Sequence, residues 1–132
     1  MTVKTNYFKK EERLCSKKLL DELFKNGSSF LLYPFRVTWL ISLDSQQAFP
    51  AQVVIAVPKK RFKHSIDRNL IKRRIREAYR LHKSTVFYPA LQDNGKKILL
   101  ALSYVGTKAH DFSFIEKKLK AVFADCLKKV EA

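Results

Sequence analysis

Arg68, Lys72, Arg73, Arg76 and Arg80 lie along one short stretch, RNLIKRRIREAYR, close enough together to hold the phosphates of a polyanion. Six of its thirteen residues are Arg or Lys, and Glu77 is the only acid. At about 100° per residue, a helix here puts Arg68, Lys72, Arg76, Asn69, Arg80 and Arg73 on one arc. Ile71, Ile75, Ala78 and His82 form an apolar seam beside that arc, with Tyr79 at their shared edge, and Arg74 sits apart. Like charges three or four residues apart repel on a helix by a few tenths of a kcal/mol each. A purely structural helix alternates its signs, and this one does not. A nucleic-acid backbone turns the repulsion into attraction and releases counterions. The preceding loop, PKKRFKHS, adds Lys59, Lys60, Arg61 and Lys63. Its Phe62 either stacks on a base or packs beneath its own loop.

Polypeptide catalysis has no such signature. A nuclease site needs clustered carboxylates for metal ions or paired histidines for proton transfer. The acids are scattered, with Glu11/Glu12 and Asp21/Glu22 read as solvated charges. His64, His82 and His110 have no metal-ligand spacing, and His82 reads as a packed residue. Cys15 and Cys126 are too few for a disulfide framework or a zinc site. The expected catalytic and metal sets are therefore empty.

The charge distribution agrees. The 132-residue chain has a net charge of +15. Residues 1–58 contribute +3, residues 59–83 contribute +9 and residues 84–132 contribute +3. Focused charge points to a polyanionic partner. No apolar run reaches the roughly 18 residues of a membrane span, and the N-terminus lacks the apolar centre of a signal peptide. A cytoplasmic protein without a membrane partner is the expectation.

Around the basic segment, hydrophobic spacing sets out the elements. SKKLLDELFKNG reads as a short helix, capped by Ser16 and ended by Gly27 in a left-handed conformation. Leu20, Leu23 and Phe24 share one of its faces. FRVTWLISL (35–43) alternates as a strand, with Phe35, Val37, Trp39, Ile41 and Leu43 on one face. Arg36, Thr38 and Ser42 lie on the other, and Leu40 breaks the pattern. AQVVIAV (51–57) and KILLALSYV (97–105) are apolar on both faces and read as central strands. SSFLL (28–32) is a possible further strand. The basic helix spans about 66–83. A last helix spans about 114–130, with Ser113 and Glu116 as a capping box and Ile115, Leu119, Val122, Cys126 and Val130 as its apolar stripe. The sum is a single α+β domain over residues 1–132, its core about 11–130, suited to a nucleic-acid partner.

The stretch RNLIKRRIREAYR, preceded by VPKK, resembles the signature of the bacterial ribonuclease P protein subunit. Upstream, ERLCSKKLLDELFKNGSSFLLYPFRV is similar to that family's opening, and the likeness extends over about 11–130. It departs at Leu70, where the family has an arginine, at Leu20, where an aromatic is common, and at Pro58, which replaces a serine. The resemblance implies a small α/β sandwich of the ribosomal protein S5 domain 2-like type. Such a fold has one mixed sheet, three helices and a left-handed βαβ crossover. It also implies an accessory subunit of an endonuclease (a hydrolase). In this ribonucleoprotein the catalytic RNA subunit removes the 5′ leader of precursor tRNA. Mg2+ is then required by the holoenzyme, and the polypeptide holds no cofactor. Carried over, Arg68, Asn69, Lys72, Arg73 and Arg76 contact RNA, and Phe24 faces the leader. If Trp39 packs against the long helices, Arg36 and Thr38 face the other way, beneath the first helix. With Leu20 and Phe24 they would line a leader cleft, in which Arg36 is either a phosphate contact or a solvated strand arginine. No DNA partner is expected. A basic ribosomal or ribosome-assembly protein without an enzymatic role is the competing reading.

Overall fold

The structure, a computed structural model, describes residues 10–42, 47 and 49–131. Four strands form one mixed sheet in the order β1-β2-β4-β3: β1 (Ser28–Leu32), β2 (Phe35–Ile41), β3 (Ala51–Ala56) and β4 (Ile98–Tyr104). The pairs β1–β2 and β2–β4 are antiparallel, and β3–β4 is parallel. Three longer helices accompany the sheet: α1 (Lys17–Asn26), α2 (Ser65–His82) and, after the short α3 (Tyr88–Asp93), α4 (Phe112–Glu131). This is the expected α+β architecture. Leu43, assigned to the second strand by its alternation, lies outside the described residues.

Side chains alternate across a pleated sheet, and here each face finds its own cover. Phe35, Val37, Trp39 and Ile41 join Leu100 and Leu102 in the main core. That core is closed by Ile71, Ile75, Ala78 and Tyr79 of α2 and by Ile115, Leu119, Val122, Phe123, Cys126 and Val130 of α4. The opposite face packs Leu40, Val54, Leu99 and Ala101 against Leu14 and Leu23. Leu40 breaks the alternation of polar residues because α1 lies over it.

Four expectations are corrected. First, of the two strands expected to be central, β3 lies at an edge of the sheet and β4 alone is flanked on both sides, while β2 is the other inner strand. α2 covers one face of β3, Val54 on the other packs against the Leu14 and Leu23 cluster, and residues before α1 cover its outer edge. Arg13 bridges Val53, and Leu14 N–H donates to Val53 O at 2.9 Å. Second, Ser16 caps α1 by accepting from Leu19 N–H, but Gly27 is extended (φ −75°, ψ 164°) because the chain runs straight into β1. Space demands glycine there, since a Cβ would lie 2.4 Å from Leu23 O and 2.9 Å from Trp39 O. Third, the capping box of α4 does not form. Asp111 Oδ1 accepts from Phe114 N–H at 2.9 Å, Ser113 lies inside the first turn, and Glu116 instead meets His82 Nε2 at 2.7 Å.

The fourth concerns Glu12, which is buried rather than solvated. The helical path of α2 continues through a π-turn (Lys83–Phe87) into α3, beyond its expected end. The turn buries Lys83, which forms an ion pair with Glu12. Tyr88 O–H donates to the same carboxylate at 2.6 Å, and the Tyr79 and Tyr88 hydroxyls are 3.0 Å apart. Burial pushes both phenols well above their ordinary range. Phe87 stacks on Phe123 with ring centroids 4.4 Å apart, which seats the turn on α4.

Candidate nucleic-acid interface

α2 is amphipathic because its apolar residues recur at helical spacing. With that seam against the sheet, Asn69, Arg73 and Arg76 are exposed and Lys72 is half-buried. Lys59, Lys60, Arg61 and Lys63 are exposed on the loop leading in. These eight residues form a continuous hydrogen-bonding and cationic surface. Closely spaced guanidinium and ammonium groups suit the phosphates of a folded RNA.

Other members of the sequence-derived set have internal work. Arg68 Nη1 donates to Phe62 O and Lys63 O, both at 2.8 Å, and so fastens the basic loop to the helix. Arg80 pairs with Glu77 at 2.6 Å. Their hydrogen bond holds the Glu77 carboxyl below its usual range and raises Arg80. The arc therefore does have acidic relief, at one position. Arg74, apart from the stripe, donates from Nη1 to His110 O at 2.5 Å. Phe62 is half-buried, its ring 6.0 Å from that of Tyr104, so it packs beneath its loop. His82 is packed as expected, against Glu116.

Sequence reasoning missed Arg13. It lines a pocket of about 180 Å³ along the outer edge of β3, with Arg76 and Cys15 beside it and Leu14 and Val53–Ile55 around them. No periodicity marks Arg13. Only the bridge to Val53 brings it to the side of the sheet that Arg76 reaches.

The open part of the sheet lies on the α1 side. Strand register aligns Leu31, Arg36, Ser103 and Ala56 in one row, and Ser29, Thr38, Ala101 and Val54 in the next. α1 covers Leu99 and Ala101 but leaves the first row open: Leu31 is 64% exposed, and Arg36 and Ala56 are exposed. Phe24 on α1 is 58% exposed. The α1 side thus exposes Leu31, Ala56 and Phe24 as apolar groups and Arg36 as a strand cation, a candidate trough. The two other cleft residues are less available. Leu20 packs partly into the core under α1, and Thr38 is buried with its hydroxyl 3.1 Å from that of Ser29.

Among the described residues, no three His, Cys, Asp or Glu side chains are grouped so as to hold a metal ion. No helix among them is long and apolar enough to cross a membrane.

A family model described as Ribonuclease P matches residues 8–127 of this chain. A ribonuclease P protein component from Porphyromonas gingivalis is 32% identical over 111 residues, covering 84% of this chain and 80% of the relative. One from Chlorobium phaeobacteroides is 34% identical over 122 residues, covering 83% and 79%. Two solved structures share the fold. The RNase P protein from Thermotoga maritima has a TM-score of 0.67 at 23% identity, covering 86% of this chain and 96% of its own. That from Staphylococcus aureus has a TM-score of 0.64 at 23% identity, covering 87% and 94%.

Proposed function

The chain belongs to the ribonuclease P protein family, whose members are the protein component of an endoribonuclease holoenzyme, and on that premise we propose a division of labour between two of its surfaces. The exposed cations of α2 and its loop dock the RNA subunit of the enzyme. The trough beneath α1 takes the single-stranded 5′ leader of precursor tRNA. Bond cleavage belongs to the RNA subunit, and Mg2+ to that RNA and its substrate, with no metal assigned to the polypeptide. The protein acts in the cytoplasm.

One observation carries the reading. Within the matched span, exposed cations recur along α2 and the loop that leads into it, and the sheet row Leu31, Arg36, Ser103 and Ala56 stays open on the α1 side, Ala56 lying just before that loop. The cations fit the dense phosphates of a folded RNA. The open row fits an extended strand, whose bases rest on apolar surface while a phosphate meets the guanidinium. Arg68 contributes by setting the loop that presents Lys59, Lys60, Arg61 and Lys63. The alternative of a ribosomal protein without an enzymatic role is set aside by the family match.

The test is reconstitution with the host's own ribonuclease P RNA and a precursor tRNA. The complete particle should release the leader at magnesium concentrations where the RNA alone is slow, and the polypeptide alone should release none. Arg73→Ala with Arg76→Ala should weaken assembly with the RNA for every substrate alike. Phe24→Ala should weaken precursor binding by about 1–3 kcal/mol where a base rests on the ring, leaving mature tRNA unaffected. Specific cleavage by the polypeptide alone, or equal losses for both tRNAs with Phe24→Ala, would overturn the respective halves of the proposal.

A further inference from the structure

Three loops leave the sheet at the same end. Leu32 pairs with Phe35, Phe35 with Tyr104, and Ala56 with Ser103, so the β1–β2 turn, the basic loop after β3 and the 105–111 loop after β4 are neighbours. This is also the end that carries the open Leu31–Arg36 row.

An aromatic array stands there that neither the core nor the basic stripe accounts for. His110 stacks on Phe114 with ring centroids 4.1 Å apart and planes within 22°. Tyr33 sets its ring edge-on to both, 5.5 Å from His110 and 6.4 Å from Phe114, and its hydroxyl is 2.9 Å from His110 Nε2. Tyr33 nonetheless remains 44% exposed. The array is held rigidly from behind. Tyr104 O–H donates to Lys108 O at 2.8 Å and accepts from His110 N–H at 3.2 Å, while Arg74 grips His110 O. The nearby acids are engaged internally, Asp111 as a helix cap and Glu116 with His82. Lys108 is exposed, and Lys118 lies with Nζ 5.4 Å from the Phe114 ring centroid. A fixed, partly open aromatic platform with lysines beside it has the chemistry of a single-strand stacking site. Leu31, open on the trough side, is two residues from Tyr33 on the same chain, so a strand leaving the trough over this end of the sheet meets the Tyr33 ring.

We propose that Tyr33, backed by His110 and Phe114, is a second stacking subsite for the 5′ leader, beyond the trough, with Lys108 and Lys118 taking the adjoining phosphates. The inference rests on the reading of the trough as the leader site, and its test separates the two. Holoenzyme reconstituted with the host RNA subunit is given mature tRNA and precursors with leaders of about two and about twelve nucleotides, a range set by single-strand site sizes of roughly 4–16. Tyr33→Leu keeps apolar bulk against Phe114 but has no π face, and Tyr33→Phe keeps the ring. With thermal melts unchanged, Tyr33→Leu should lose about tenfold in affinity for the long leader, with no loss for the short leader or mature tRNA. Tyr33→Phe should bind as the parent does. Lys108→Ala with Lys118→Ala should lower the salt dependence of long-leader binding by roughly one to two in log–log slope. If Tyr33→Leu costs nothing while Phe24→Ala still discriminates precursor from mature tRNA, the subsite is refuted and the trough stands. Equal losses for long and short leaders, or for mature tRNA, refute it as well. If Phe24→Ala also fails to discriminate, the trough reading falls and the subsite falls with it.

Discussion

Replacing Glu12 with Ala removes the carboxylate that meets the Lys83 ammonium and accepts from Tyr88 O–H. Glu12 is 1% exposed and Lys83 2%, so solvent does not screen the loss. Breaking a buried pair by deleting one partner costs about 3–5 kcal/mol, because the other charge stays buried. In a domain of this size that should lower Tm by roughly 10–20 °C. The damage should spread beyond the pair. Glu12 is followed directly by Arg13 and Leu14, which close the outer edge of β3. Loosening them should expose that edge and separate Arg13 from Arg76. Lys83→Met alone should destabilise for the converse reason, leaving the carboxylate buried without the Lys83 ammonium. The double replacement Glu12→Leu, Lys83→Met should recover most of the loss, since a well-packed apolar pair of similar volume is often as stable as a buried ion pair. Urea and thermal melts of the parent, both single variants and the double variant give the coupling energy directly. Single-variant losses below about 1 kcal/mol would place the pair with solvent-screened surface bridges and refute the reasoning.

Three further outcomes are expected. Binding of the RNA subunit should weaken with salt at a log–log slope of about 4–5, from roughly six phosphate contacts at 0.7–0.9 each, and a slope near zero would mean that the exposed cations are only solvated. Cys15 is exposed, whereas burial pushes the Cys126 thiol up to about 12, so a thiol reagent should label one cysteine per folded chain and the second only on unfolding; rapid labelling of both would refute this. His110 is held below its ordinary value, first by burial and then by Lys108, against an opposing pull from Asp111. The folded chain therefore binds fewer protons there than the unfolded chain, and His110 should subtract stability as pH falls through the ordinary imidazole range; Lys108→Ala should move its NMR titration upward, and an unmoved titration would count against the assignment.

The sequence by itself determined whatever rests on local period and local charge. Ile71, Ile75, Ala78 and Tyr79 recur at helical spacing, so the seam of α2 and the cationic flank beside it were legible, as were the Phe35–Val37–Trp39 face of β2 and the Ile115-to-Val130 stripe of α4. Only the tertiary structure decided what those charges meet. Glu12 and Lys83 are 71 residues apart, and a π-turn with no sequence period of its own brings Lys83 to the carboxylate. The anchoring of Arg68, Arg74 and Arg80 depends on which carbonyl or carboxylate packing delivers to each guanidinium. Strand order was hidden for a related reason. β3 is apolar on both faces because α2 covers one and the Leu14 and Leu23 cluster meets Val54 on the other, and burial, not a central position, is what an apolar strand records. Gly27, too, could be read as a helix end from sequence. That it must be glycine for want of space beside Leu23 O and Trp39 O follows from the close approach of β2, a contact between segments that no local pattern encodes.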